Sequence, residues 1–188
     1  ACRNLRYDWF AEIQQINHLD DLVTAHHSDD NIETFLINLS RGTGLKGLVG
    51  MQIDNGKIFR PLLNFTKNDL LEFAKNNTLA WREDYTNATD DYIRNKIRHH
   101  ILPVLKEVHT QFDENFLATL NHINDNYLIV QQRVEGIASD LFTGTNPIKI
   151  EISELRKLNP LATYIHYLFE KYNFNSPNEI IKFLDSET

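Results

Sequence analysis

One cysteine, Cys2, is all that this 188-residue chain contains. A single thiol excludes an internal disulfide and a cysteine-based metal cluster, and it suits a reducing compartment. No apolar run approaches the roughly 20 residues that cross a bilayer, so no membrane partner is expected. No signal-peptide core follows Ala1-Cys2-Arg3-Asn4, and the expected location is cytoplasmic. Internal repeats and low-complexity tracts are absent. Basic residues are the scarcer charge, 19 against 26 acidic, for a net −7. That balance argues against indiscriminate nucleic-acid binding, because phosphate contacts need Lys and Arg. One stretch runs the other way. Residues 94–106 hold Arg94, Lys96, Arg98, His99, His100 and Lys106 with no Asp or Glu, which suits selective docking or a solvated helix face.

What is present is organised around Val23 to Gly50. The apolar run Leu22, Val23, Ala25 breaks off into His26, His27, Asp29 and Asp30, then resumes with Ile32, Phe35, Leu36 and Leu39 on one helical face. This is the pattern of a buried parallel strand ending in a polar loop that opens a helix. Ligands of open α/β sheets collect outside such strand ends. On a helix beginning near Asp30, Glu33 and Thr34 share its face, and two carboxylates there can hold a cation. The same residues also read as an N-cap with a capping-box Glu. A metal site built from His26, His27, Asp29 and Asp30 is disfavoured, since adjacent residues rarely aim at one ion; no metal ligand is assigned.

Residues 1–17 read as a helix lined by Leu5, Trp9, Ile13 and Ile16. Gly42, Gly44, Gly47 and Gly50 form a turn after the central helix that is neither a Walker A loop nor a dinucleotide fingerprint. Arg41 beside it can grip phosphate bidentately. Asp54-Asn55-Gly56 predicts a hairpin joining Met51–Ile53 to Lys57–Phe59. Residues 64–77 form an amphipathic helix with Thr66 as N-cap. Glu83 to Asn87 make an acceptor-rich loop, and Asp90 or Asp91 caps a helix bearing Arg94, Asn95 and Arg98 up to Pro103. From Val104 onward the chain reads as helical, except for Gly144–Pro147 and a short strand at Ile148–Ile152.

The wording of several stretches is specific. Ala25-His26-His27-x-x-Asp30-x-x-Glu33-Thr34, Arg41-Gly42-x-Gly44-Leu45-x-Gly47-Leu48, Arg60-Pro61-Leu62-Leu63, Trp81-x-Glu83-Asp84-x-Thr86-Asn87 and Arg94-Asn95-x-Ile97-Arg98-x-x-Ile101-x-Pro103 follow one another in order. Together, with Arg3-x-x-Arg6-Tyr7 upstream, they resemble the tRNA(Ile)-lysidine synthetase family of PP-loop ATPases. The resemblance implies an α/β fold followed by an all-α part. Residues 1–105 would be the C-terminal portion of a parallel-sheet PP-loop catalytic domain, and 106–188 a helical tRNA-binding domain. It implies ATP-dependent ligation of free L-lysine to the wobble cytidine of tRNA(Ile) with a CAU anticodon, through an adenylated cytidine. Carried over by motif, His26, Arg94 and Arg98 are catalytic, Asp30 and Glu33 bind lysine, and Arg41 and Lys96 are phosphate or tRNA candidates. ATP and Mg²⁺ are implied, and a homodimer is compatible with the family.

The family's Ser-Gly-Gly-x-Asp-Ser loop, which cradles pyrophosphate and would hold most of the ATP and Mg²⁺ contacts, has no counterpart in this sequence. The family's C-terminal domain is likewise missing, so the chain is expected to be a fragment that is inactive alone. Two other classes stay open: a PP-loop enzyme that thiolates tRNA, against which the lone Cys2 argues, and a non-catalytic tRNA-binding module.

Overall fold

The computed structural model describes residues 2–82, 89–90, 92–174 and 176–186. These fall into two compact units, 1–124 and 125–188. In the first unit, α1 (Cys2–Asn17) covers the predicted N-terminal helix. An extended segment then leads into α2 (Ser28–Ser40), the helix that carries the motif. Ile32 and Ile37 of α2 are buried, as are Val49, Leu63, Ile97, Leu102 and Leu120 of this unit. Phe35 meets Phe116 edge to face at 5.1 Å between centroids, a favoured aromatic geometry.

The expected buried parallel strand is reduced to one residue. Val23 forms a parallel bridge with Phe59, held by Thr24 N–H to the Phe59 carbonyl (3.0 Å) and Phe59 N–H to the Leu22 carbonyl (2.9 Å). Val23 is 57% exposed. Burial alternates instead, with Leu22, Thr24 and His26 on the covered side and Asp21, Val23 and Ala25 exposed. Alternate burial of this kind is that of an extended segment packed on one face and open on the other. The described residues are therefore mostly helical, and their only sheet is a two-stranded antiparallel one in the second unit.

The glycine stretch is a helix end followed by a short helix. Arg41 caps α2, and Gly42 takes φ +71° just beyond it, the left-handed position that closes a helix. A short helix, α3 (Leu45–Leu48), starts from Gly44. Gly50 has φ +77°, and a Cβ there would lie 2.6 Å from the Asn31 side-chain oxygen. That oxygen accepts the Met51 amide at 2.7 Å, tying the turn back to α2. Gly50→Ala is therefore expected to lose more than about 1 kcal/mol of stability through the combined strain and clash, measured as a lower urea midpoint.

The predicted hairpin forms its turn but pairs one residue further on. Asn55 Oδ1 accepts the Lys57 and Ile58 amides, while Asp54 bridges Phe59 antiparallel. The next helix, α4 (Lys67–Asn76), is capped as predicted: Thr66 Oγ1 accepts from Asp69 N–H, and Asp69 returns the bond. Glu83 to Asn87 lie outside the described residues, as does Asp91.

Asp90 does not cap the next helix. Tyr92 sits at the start of α5 (Ile93–Lys96), and the Asp90 carboxylate binds both neighbouring imidazoles, His99 at 2.8 Å and His100 at 2.5 Å. Nor does Pro103 end the helical path. A π turn (Ile97–Ile101) carries the chain from α5 into α6 (Leu102–Val108), with Pro103 in the first turn of α6, where a missing N–H is harmless.

Helix α7 (Phe112–Leu141) begins in the first unit and continues into the second. The second unit adds β1 (Phe142–Thr143), paired antiparallel with β2 (Lys149–Ile150). Helices α8 (Ile152–Leu155), α9 (Leu161–Phe169), a 3₁₀ turn (Glu170–Tyr172) and α10 (Pro177–Asp185) follow. Its core is Ile137, Leu155, Ile165, Leu168, Ile180 and Leu184. No described helix is long and apolar enough to cross a membrane.

Candidate active site

Helix α2 starts with a reciprocal cap in which His27 is the N-cap residue. Its backbone amide donates to Asp30 Oδ2 at 3.1 Å. The capping box anticipated from the sequence thus exists, three residues earlier, with Asp30 rather than Glu33 closing it. Asp29 and Asp30 lie in the first turn, where negative charge complements the helix dipole.

One turn on, Glu33 is completely buried, at 0% exposure. A carboxylate cannot stay ionised there without partners. Arg98 supplies a fork, Nε to Oε1 at 2.6 Å and Nη2 to Oε2 at 3.1 Å. Arg94 Nε pairs with Oε2 at 3.2 Å. Burial pushes the Glu33 carboxyl above the usual range, with Arg98 and Arg94 acting against it. The Arg98 guanidinium is raised, chiefly by its bond to Glu33. The two-pronged contact thus pairs the buried carboxyl of Glu33 with the Arg98 guanidinium.

The cluster extends toward Asp30. Arg94 Nη2 donates to Thr34 Oγ1 at 2.8 Å, and that hydroxyl donates to the Asp30 carbonyl at 2.8 Å. Arg98 Nη2 lies 3.6 Å from Asp30 Oδ1. The helical spacing that puts Asp30, Glu33 and Thr34 on one face meets the i, i+4 spacing of Arg94 and Arg98. A carboxylate pair and a guanidinium pair therefore interlock. This can present cationic N–H groups to phosphate while keeping one carboxylate, Asp30, only partly occupied.

Lysine contact was the role expected of Glu33, yet both of its oxygens meet guanidinium groups. His26 lies on the covered side of the extended segment, with Nδ1 2.8 Å from Thr24 Oγ1. Arg41 is exposed at the far end of α2, about 16 Å of helix from Asp30. Lys96 is exposed on α5. Among the described residues the structure thus joins Asp30, Glu33, Arg94 and Arg98, and leaves Arg41 and Lys96 outside that cluster. No group of three or more His, Cys, Asp or Glu among the described residues is arranged to hold a metal ion. Asp29, Asp30 and Glu33 face Lys106, His27 and the two arginines instead, so these residues offer no fit for Mg²⁺.

Sequence reasoning placed Lys106 in a basic stretch and gave it no partner. Its Nζ sits 2.9 Å from Asp29 Oδ1 and 3.0 Å from Asp113 Oδ2. Asp29 Oδ2 also accepts the Lys67 amide at 2.8 Å, so this one carboxylate ties the start of α2 to α4 and α6. Burial works to raise the Asp29 pKa, but the Lys67 amide and the Lys106 ammonium outweigh it, leaving it below the usual range. Burial works to lower that of Lys106, but Asp29 and Asp113 outweigh it and raise it.

A depressed acid contributes stability above its unfolded pKa and loses it as pH falls through the folded one. A raised base contributes below its unfolded pKa and loses it as pH rises through the folded one. The Asp29–Lys106 link is therefore full near neutrality and is lost in acid below about pH 4. Asp29→Asn is expected to lower stability at pH 7 while narrowing the difference from wild type as pH falls toward 3. Urea midpoints across that range check it.

The PP-loop domain profile matches residues 1–105, more than half of the chain and the whole of this cluster. The chain belongs to the PP-loop family. A second profile, the TilS substrate binding domain, matches residues 143–188 of this PP-loop chain. Curated relatives agree. The tRNA(Ile)-lysidine synthase of Bacillus subtilis is 36% identical over 98% of the chain and 42% of the relative. That of Bacteroides thetaiotaomicron is 34% identical over 94% and 41%. That of Chlorobaculum tepidum is 40% identical over 66% and 37%. The resemblance drawn from the motifs is borne out. The chain spans about two fifths of the length of these relatives.

Proposed function

We propose that the protein to which this PP-loop chain belongs ligates lysine to the wobble cytidine of tRNA(Ile) with a CAU anticodon, consuming ATP. The observation that carries this reading is the interlocked Asp30–Glu33–Arg94–Arg98 cluster at the head of α2, inside a PP-loop match, in a chain that also matches the TilS substrate binding domain. In the first step the cytosine O2 attacks the α-phosphorus of ATP and pyrophosphate leaves. In the second the lysine ε-amine attacks C2, the C2–O2 bond breaks, and AMP departs.

The residues divide the work. Arg94 and Arg98 offer N–H groups to the phosphate, where charge shifts in both steps. Glu33 holds both guanidinium groups and, with Asp30, forms the carboxylate pair for lysine. Asp30 takes the ammonium of lysine in a charge-assisted bond. His26 accepts a proton from the amine as the C–N bond forms. Arg41 and Lys96, both exposed, are phosphate contacts for the tRNA. Residues 1–105 form the catalytic portion, whose bridge at Val23 and Phe59 belongs to a larger parallel sheet, and 106–188 form the helical tRNA-binding portion. Most ATP contacts and Mg²⁺ would fall to a Ser-Gly-Gly loop that this sequence does not contain.

The test uses the full-length protein and labelled lysine. ATP-dependent label on tRNA(Ile) with CAU, and none on tRNA(Met) with the same anticodon, is the expected result. Tight tRNA binding without label would overturn the ligase reading in favour of a binding module.

A further inference from the structure

Residues 22–26 run extended beside Phe59, and Thr24 is fixed there by its amide bond to the Phe59 carbonyl at 3.0 Å. Successive side chains of an extended segment face opposite ways, so Thr24 and His26 share a side. It is the covered side, for both are part-buried while Ala25 between them is exposed. The result is a 2.8 Å contact from Thr24 Oγ1 to His26 Nδ1.

A neutral imidazole carries one N–H and an imidazolium carries two. Whichever tautomer the neutral ring adopts, the protonated ring must donate from Nδ1, and a threonine oxygen can always accept. We propose that Thr24 is the positioning residue of His26: its hydroxyl holds the ring through Nδ1 and stabilises the imidazolium formed when Nε2 takes a proton. This rests on His26 being the proton acceptor in the ligation. The hydroxyl acts through the ring and touches no substrate.

Valine matches threonine in shape and in preference for extended backbone, so it removes the oxygen while leaving the segment's packing. Serine keeps the oxygen. In the full-length protein Thr24→Val is expected to lower kcat about tenfold, the worth of one hydrogen bond to a charged group, with lysine KM and tRNA affinity unchanged. Thr24→Ser is expected to stay within about twofold of wild type. A second readout needs no turnover. In nitrogen-15 spectra of the imidazole rings, the titration midpoint of His26 should fall by about half a unit or more in Thr24→Val and return in Thr24→Ser. The charged groups that follow His26 at the head of α2 (His27, Asp29 and Asp30), with their partners Arg98 and Lys106, are the same in all of these variants, so the comparison isolates the hydroxyl.

Thr24→Ala gives the same comparison if valine disturbs folding, checked by thermal melting. An unmoved midpoint with unchanged kcat overturns the proposal. His26→Ala separates the two failures. If it leaves turnover intact, the catalytic reading of His26 falls, whereas loss of turnover beside a silent Thr24→Val removes Thr24 alone.

Discussion

Arg98→Met is expected to destabilise the protein by about 3–5 kcal/mol, the cost of leaving a buried charge without its partner. The charge left behind is Glu33, at 0% exposure and bonded through both oxygens to Arg98. Arg94 still lies 3.2 Å from Oε2, which draws the loss toward the lower end. Arg98→Lys keeps the charge but cannot reproduce the two-pronged contact, so an intermediate loss is expected. The double variant Arg98→Met, Glu33→Met removes both charges and should recover most of the stability, because the penalty belongs to the orphaned ion and not to the pair. Urea unfolding of the four proteins at pH 7 measures this. Equal losses in the single and double variants would mean that packing, not charge, sets the cost.

The same pair explains what was legible in the sequence. Asp30, Glu33 and Thr34 on one face, and Arg94 with Arg98 on another, follow from helical spacing alone. That these two faces meet each other, 65 residues apart in the chain, has no local signal. Hence the contacts of Glu33 with Arg94 and Arg98 could not be read from the sequence. Lys106 is a sharper case, since its partner Asp29 is 77 residues away and nothing near either residue announces the other.

Local chemistry fared better wherever it was self-contained. Thr66 announces the start of α4 because a cap needs only the residues that follow it, and helices α1, α9 and α10 form at the expected places, although Leu5, Trp9 and Ile16 of α1 are exposed. The extended segment failed for the opposite reason. Leu22, Val23 and Ala25 look like a buried strand, yet burial depends on neighbours that sequence periodicity does not name, and here only the side of Leu22, Thr24 and His26 is covered. Pro103 misled through a rule that holds for straight helices. A π turn just before it shifts the hydrogen-bond register and lets the chain pass.

Asp30→Asn should raise the KM for lysine roughly 10- to 100-fold, the span of a lost hydrogen bond between charged groups, while tRNA affinity stays unchanged. Asparagine is nearly isosteric and keeps a carbonyl oxygen for the His27 amide that Asp30 now accepts, so α2 still begins where it does. What disappears is the negative charge beside Arg98, 3.6 Å from Oδ1. In the proposed roles that charge faces the lysine ammonium and nothing on the tRNA. Glu33→Gln should behave differently. It weakens the hold on Arg94 and Arg98, so the effect falls on kcat with a smaller change in lysine KM. Steady-state kinetics over a lysine titration separates the two patterns. If Asp30→Asn leaves lysine KM untouched, Asp30 is a helix cap and no more. If Glu33→Gln is the variant whose lysine KM climbs, the ammonium reaches Glu33 by displacing an arginine, and the division of labour between the two carboxylates is reversed.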